Sequence, residues 1–133
     1  MDNKELLIEA GKARRASYSP YSGYSVGAAL LCSDGTLYHG CNIENAAFSP
    51  TNCAERTAFF KAVSEGKRNF VKIAVVGGKA DHPDGFSPPC GVCRQVMAEF
   101  CGSDFEIILL RDSQVISTTL SELLPLTFDS KMI

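Results

Sequence analysis

Cys90-Gly91-Val92-Cys93 sets two thiols three residues apart at the opening of a helical pattern. There side chains at that spacing share a face, and backbone N–H groups favour the thiolate. The pair alone has several uses. A structural four-cysteine zinc site needs a second close pair, which Cys32, Cys41 and Cys101 do not supply. A thioredoxin-like redox couple normally follows an aromatic residue, which is missing here. Cys53 adds a third thiol, and three thiolates leave one tetrahedral position open, as catalytic zinc requires for water or substrate. Glu55 lies two residues beyond it. On the side of a helix the two would diverge by roughly 200°, but in a first turn both can lean past the end toward a metal near the axis. The plainer reading makes Glu55 a first-turn carboxylate favoured by the helix dipole. Arg56 either hydrogen-bonds a ligand sulfur, offsetting the negative charge of three thiolates around a dication, or is an ordinary surface arginine.

Asn42 and Glu44 form a second polar pair, two residues apart near an expected strand end. That spacing puts both on one side, where together they offer donors and acceptors, and turn hydrogen bonds are their plainer use. His39 shares a hairpin face with Leu37 and Cys41 and reads as a packed or edge histidine. His82, in a Pro/Gly-rich loop, would close the open metal position if it were a ligand. Cys32, Cys41 and Cys101 read as small buried hydrophobes.

The elements that must position these groups follow from periodicity. Leu6, Leu7, Ala10, Ala13 and Arg14 recur at helical spacing over about residues 3–17, capped by Asp2 or Asn3 and broken by Pro20 and Gly23. Apolar runs at 26–32 and 37–43 flank Asp34-Gly35, a hairpin signature. A second helix is expected from Cys53 to a stop at Gly66, then a strand over 71–76 closed by Gly77-Gly78 and a loop over 79–89. A third helix from Cys90 to Gly102, a strand over 105–110, a weak strand over 115–117 and a short helix over 120–124 complete the chain. This order predicts an α/β fold, a three-layer α/β/α sandwich around a mixed sheet, with an amino-terminal hairpin and later strands parallel. Crossover helices in such sheets start near strand carboxyl edges, so the helices opening at Cys53 and Cys90 can bring their amino termini together.

At 133 residues and 45% hydrophobic content, one globular domain over 1–133 is expected. A net charge of −2 gives no basic stripe for tracking a nucleic-acid backbone, so a small ligand fits better than a polymer. The polar amino terminus lacks a signal-peptide core and no apolar run approaches a membrane span, so a cytoplasmic protein without membrane contact is expected. In that compartment six cysteines point to metal binding, catalysis or packing, not disulfides.

Three stretches together carry a resemblance: Gly40-Cys41-Asn42-Ile43-Glu44-Asn45-Ala46-Ala47, Asn52-Cys53-Ala54-Glu55-Arg56 and Pro89-Cys90-Gly91-Val92-Cys93-Arg94-Gln95. The chain resembles the small homotetrameric zinc-dependent cytidine deaminases, from the first helix through Glu122-Leu123-Leu124-Pro125 and Phe128. The resemblance implies one zinc per chain on Cys53, Cys90 and Cys93, with Glu55 transferring protons. It further implies that Asn42 and Glu44 recognise ribose, that Tyr24 and Phe128 flank the pyrimidine with Phe128 supplied by a neighbouring subunit, and that the assembly is a homotetramer. Three positions depart from the pattern: Tyr24 where phenylalanine is common, Phe48 where tyrosine is frequent, and Pro88 where serine is usual. A proline at 88 still offers its carbonyl to a substrate amine, since proline loses only its N–H.

The implied activity is hydrolytic deamination of cytidine and 2′-deoxycytidine, with Glu55 taking a proton from water and passing protons to N3 and the leaving amine. A carboxyl group that both accepts and donates should titrate nearer neutrality than a free glutamate. Three other readings remain at this stage: a related aminopyrimidine nucleoside deaminase such as one acting on blasticidin S, a non-catalytic zinc-stabilised binding module and, less favoured by the acidic balance, an RNA- or DNA-editing enzyme.

Overall fold

Asp2 accepts the Glu5 amide while the Glu5 carboxylate accepts the Asp2 amide, a reciprocal cap that starts α1 (Asn3–Arg14). The computed structural model describes residues 1–80, 82 and 85–133. The expected hairpin is formed by β1 (Tyr24–Cys32) and β2 (Leu37–Cys41), and Gly35 turns it at φ +89. Next come α2 (Ala54–Ser64), ended near Gly66 at φ +92, β3 (Phe70–Lys79), α3 (Gly91–Phe100), β4 (Glu106–Arg111), β5 (Gln114–Thr119) and α4 (Leu120–Leu123).

The strands join in the order β2-β1-β3-β4-β5, and the β3–β4 pair is parallel while the other three are antiparallel. Alternation along the strands separates two apolar faces. Ala29, Ala74, Val76 and Ile108 face Leu6, Leu7 and Ala10 of α1. Ala28, Leu30, Ile73, Val75, Ile107 and Leu109 belong to the opposite cluster, with Ala58 and Phe59 of α2 and Met97 of α3. Helices on both faces of a mixed sheet make the expected three layers.

One strand end and one strand direction differ instructively from the sequence reading. β3 runs on through Gly77 and Gly78 because both pair with β1, opposite Val26 and Ser25. Pairing overrides the local punctuation of the glycines. β5 returns antiparallel beside β4, so only the β3–β4 pair meets the expectation of parallel strands. Asp112 at φ 49 and Ser113 at φ 65 make the tight two-residue turn that an antiparallel return requires. The loop expected over 79–89 lies partly outside the described residues. No helix of the described residues is long and apolar enough to cross a membrane.

Candidate active site

Cys53 is the N-cap of α2 and Cys90 the N-cap of α3, both with extended backbone. Because α3 is the crossover between parallel β3 and β4, its amino terminus emerges at the strand ends where α2 also begins. The sulfur of Cys53 lies 3.7 Å from that of Cys90, which lies 3.5 Å from that of Cys93, one helical turn on. All three sulfurs fall within 4.8 Å of one another, the one group of three or more metal-ligating side chains among the described residues. The other cysteines are elsewhere and unpaired, with Cys32 buried and Cys41 and Cys101 half-buried.

The donor chemistry fits a soft cation such as zinc. A hydrogen bond from Cys93, aided by Arg56 and Cys90 against burial, holds the Cys53 thiol down to about 5. Donating that bond, together with burial, pushes Cys93 up well beyond the ordinary thiol range. Such a corner sheds one proton easily and resists further ones; a cation among the sulfurs lets the ionisation go to completion. The Cys93 amide also approaches the Cys90 sulfur at 3.5 Å, so the α3 amino terminus favours negative charge there. Arg56 donates from Nη2 to the Cys53 sulfur at 3.3 Å, so it faces the cluster and is not an outward surface residue.

Glu55 is 4% exposed, the one charged side chain among the buried described residues. Burial pushes its carboxyl up to about 7, with the Cys53 thiolate adding and bonds from its own amide and Cys93 opposing. This is the range in which one group both accepts and donates protons near neutral pH. Glu55, Cys53 and Cys90 line a cavity of about 360 Å³. Its other walls include Tyr24, Val26 and Asn42 from the hairpin region and Phe86, Ser87 and Pro88 from the segment before α3. A nucleoside-sized, mostly apolar recess with a metal corner and a neutral-range carboxyl can support metal-assisted hydrolysis.

The remaining sequence-marked residues take different places. The Asn42 side chain accepts from the Val26 amide at 2.9 Å and from the Ser17 hydroxyl, and donates to the Tyr24 carbonyl at 2.8 Å. Glu44 is outside the cavity lining, and its carboxylate accepts from the Tyr21 and Ser22 amides at 3.0 and 3.1 Å and from the Ser22 hydroxyl. The Ser22 hydrogen bond holds that carboxyl below its usual range. Phe128 is also outside the lining and 59% exposed, its carbonyl accepting from Gln95. Phe48 is 88% exposed. His39 is an edge residue bonded to Glu9 at 3.0 Å, and His82 is exposed and outside the cysteine group. Sequence reasoning missed Phe86 and Ser87 as cavity walls. Arg111 lies over the Phe86 ring at 3.9 Å, and Ser87 bonds the Tyr24 hydroxyl. Neither partnership has a spacing signature.

A family model described as "Cytidine and deoxycytidylate deaminase zinc-binding region" matches residues 1–109. A Sporosarcina psychrophila protein named cytidine deaminase is 52% identical over 132 residues, spanning 98% of this chain and 94% of that protein. The crystal structure of a cytidine deaminase from Burkholderia pseudomallei, 44% identical, superposes with a TM-score of 0.88 over 96% of this chain and 100% of that one. A Bacillus cereus protein named blasticidin-S deaminase is 30% identical over 126 residues, spanning 92% of this chain and 89% of that protein.

Proposed function

The chain belongs to the cytidine and deoxycytidylate deaminase zinc-binding family, and on that premise we propose how its residues divide the work of deamination. It is a zinc-dependent hydrolase that converts cytidine and 2′-deoxycytidine to the uridine nucleosides and ammonia. The observation that carries the assignment of roles is the buried Glu55 carboxyl, held near neutrality on the same cavity that the Cys53 and Cys90 sulfurs line.

Cys53, Cys90 and Cys93 hold one zinc per chain, with Arg56 supporting the Cys53 sulfur. Zinc in such a site supplies Lewis acidity that makes the attacking water acidic enough to react at neutral pH. Glu55 takes the proton from that water and delivers it to N3 of the cytosine as oxygen bonds to C4. It then takes the proton of the new C4 hydroxyl to the exocyclic amine, the C4–N bond breaks as the C4 carbonyl forms, and ammonia leaves with the uracil ring complete. Three thiolates around a dication carry one net negative charge; the α3 amino terminus and Arg56 offset it.

Tyr24 borders the pyrimidine. Asn42 retains one Nδ2 hydrogen and Glu44 one acceptor position after their internal bonds, and these meet the ribose hydroxyls. Phe128 serves a neighbouring subunit's cavity in a homotetramer; its exposure away from its own cavity supports this reading. Six free cysteines suit the reducing cytoplasm.

The test adds cytidine and blasticidin S separately to purified protein and follows pyrimidine absorbance, with zinc measured on the same sample. Cytidine turnover with one zinc per chain, lost in Cys53→Ala, Cys90→Ala and Cys93→Ala, is expected. Full zinc without nucleoside turnover would make the chain a binding module, and unchanged zinc in all three variants would remove the ligand assignment.

A further inference from the structure

Tyr24 stands at the start of β1, and its hydroxyl turns to a partner within the chain, the Ser87 hydroxyl. Ser87 belongs to the segment 85–90, which supplies Phe86, Ser87 and Pro88 to the cavity wall and ends in the thiol of Cys90. The fold makes room for this closure. A Cβ on Gly77 would stand 2.5 Å from the Ser87 hydroxyl oxygen, so the glycine leaves the room over β3 that the Ser87 side chain occupies. Gly85 bridges to Gly77, and Arg94 donates from Nε to the Pro89 carbonyl at 2.8 Å, so the segment is tied at both ends. Between these ties, Tyr24 to Ser87 is the side-chain hydrogen bond among those observed that joins it to β1. The Tyr24 carbonyl in turn accepts from Asn42 at 2.8 Å. Two hydrogen bonds, one to the Tyr24 carbonyl and one at its hydroxyl, therefore link Asn42 and Ser87 through the covalent frame of Tyr24.

We infer that Tyr24 is a positioning residue whose hydroxyl acts through Ser87, latching the 85–90 wall against the hairpin and setting the width of the nucleoside cavity. The inference rests on the proposed reading of that cavity as the substrate site. The latch shapes the substrate cavity before substrate arrives, while the proton path through Glu55 lies on another wall. Its loss therefore weakens binding and spares chemistry.

The experiment compares Tyr24→Phe, Ser87→Ala and the double variant with the parent, measuring steady-state deamination of cytidine and zinc content. Each single variant retains its zinc and raises KM about threefold to tenfold, the range one neutral hydrogen bond supplies, while kcat falls less than about twofold. The double variant raises KM no further than either single one, because both remove the same bond. Parent-like KM in both single variants overturns the inference, as does multiplication of their effects in the double variant. A shift confined to Tyr24→Phe overturns it too, since the hydroxyl then touches substrate directly. A zinc-loaded parent that leaves cytidine unchanged instead defeats the reading of the cavity, and this inference with it; a working parent matched by both variants defeats the latch alone.

Discussion

Gly40 of β2 and Ala54 at the start of α2 meet so closely that a Cβ on Gly40 would stand 2.2 Å from the Ala54 carbonyl oxygen and 2.6 Å from the Ala58 nitrogen. Backbone atoms of a packed helix cannot swing aside as a side-chain tip can. Gly40→Ala therefore pushes the first turn of α2 off the sheet and carries Cys53 and Glu55 with it. A stability loss of about 1–3 kcal/mol is expected, accompanied by reduced zinc content. Gly11→Ala in α1 is the control: a Cβ there meets nothing within 4 Å, and alanine favours the helix by about 0.5–1 kcal/mol. Denaturant melts and zinc analysis of both variants decide the matter, and equal behaviour would contradict the close-approach argument.

Arg56 bonds the Cys53 sulfur at 3.3 Å, while its Nε is buried without a hydrogen-bond partner among the described residues. Such a guanidinium is held by its charge interaction with the thiolates more than by a full set of hydrogen bonds. Arg56→Gln removes that charge, and zinc affinity should fall about 10- to 100-fold, as measured by competition with a chromogenic chelator. Parent-like affinity would return Arg56 to a packing role.

The Glu55 carboxyl, raised by burial from 4.5 to about 7, also makes stability depend on pH in the metal-free protein. The native state holds the proton across that interval and the unfolded chain does not. Stability is therefore fully present below pH 4.5 and declines as pH rises through about 7. Glu55→Gln removes the decline, so above neutrality the metal-free variant should exceed the parent by roughly 2–3 kcal/mol, converging with it in acid. Urea melts across that range check the sign, and a gap that widens in acid would contradict burial as the cause.

Phe128 is 59% exposed and lies outside its own cavity. If it completes a neighbour's cavity, Phe128→Ala raises KM for cytidine and weakens assembly together, whereas replacing exposed Val71 changes neither. Sedimentation and kinetics on the same preparations provide the check; an active monomer with unchanged KM would defeat the idea.

The metal corner was legible in the sequence because its signals are local. Cys53 and Cys90 cap helices whose apolar periods and glycine stops are written beside them, and the crossover topology brings the two caps together. The boundaries that shifted depended on pairing. Gly77 and Gly78 read as a strand end until β1 lies alongside them, and Asp112-Ser113 lacks the glycine that usually announces a tight hairpin. Asn42 and Glu44 were legible as a polar pair, but not their hydrogen bonds to Tyr24 and to the 21–22 amides, because those partners are distant in sequence. The Tyr24–Ser87 contact spans 63 residues and obeys no periodicity, so only the folded cavity reveals it.

The claim on which the account turns is that the Glu55 carboxyl shuttles the protons, and Glu55→Gln tests it while nearly conserving shape. With zinc content and bound nucleoside measured on the same sample, the variant should retain one zinc per chain, bind cytidine, and lose turnover by about 10⁴-fold or more, the upper end of general acid–base catalysis. A fully zinc-loaded Glu55→Gln that deaminates cytidine within about tenfold of the parent would contradict it, because a barrier change that small leaves no room for the carboxylate as the proton carrier.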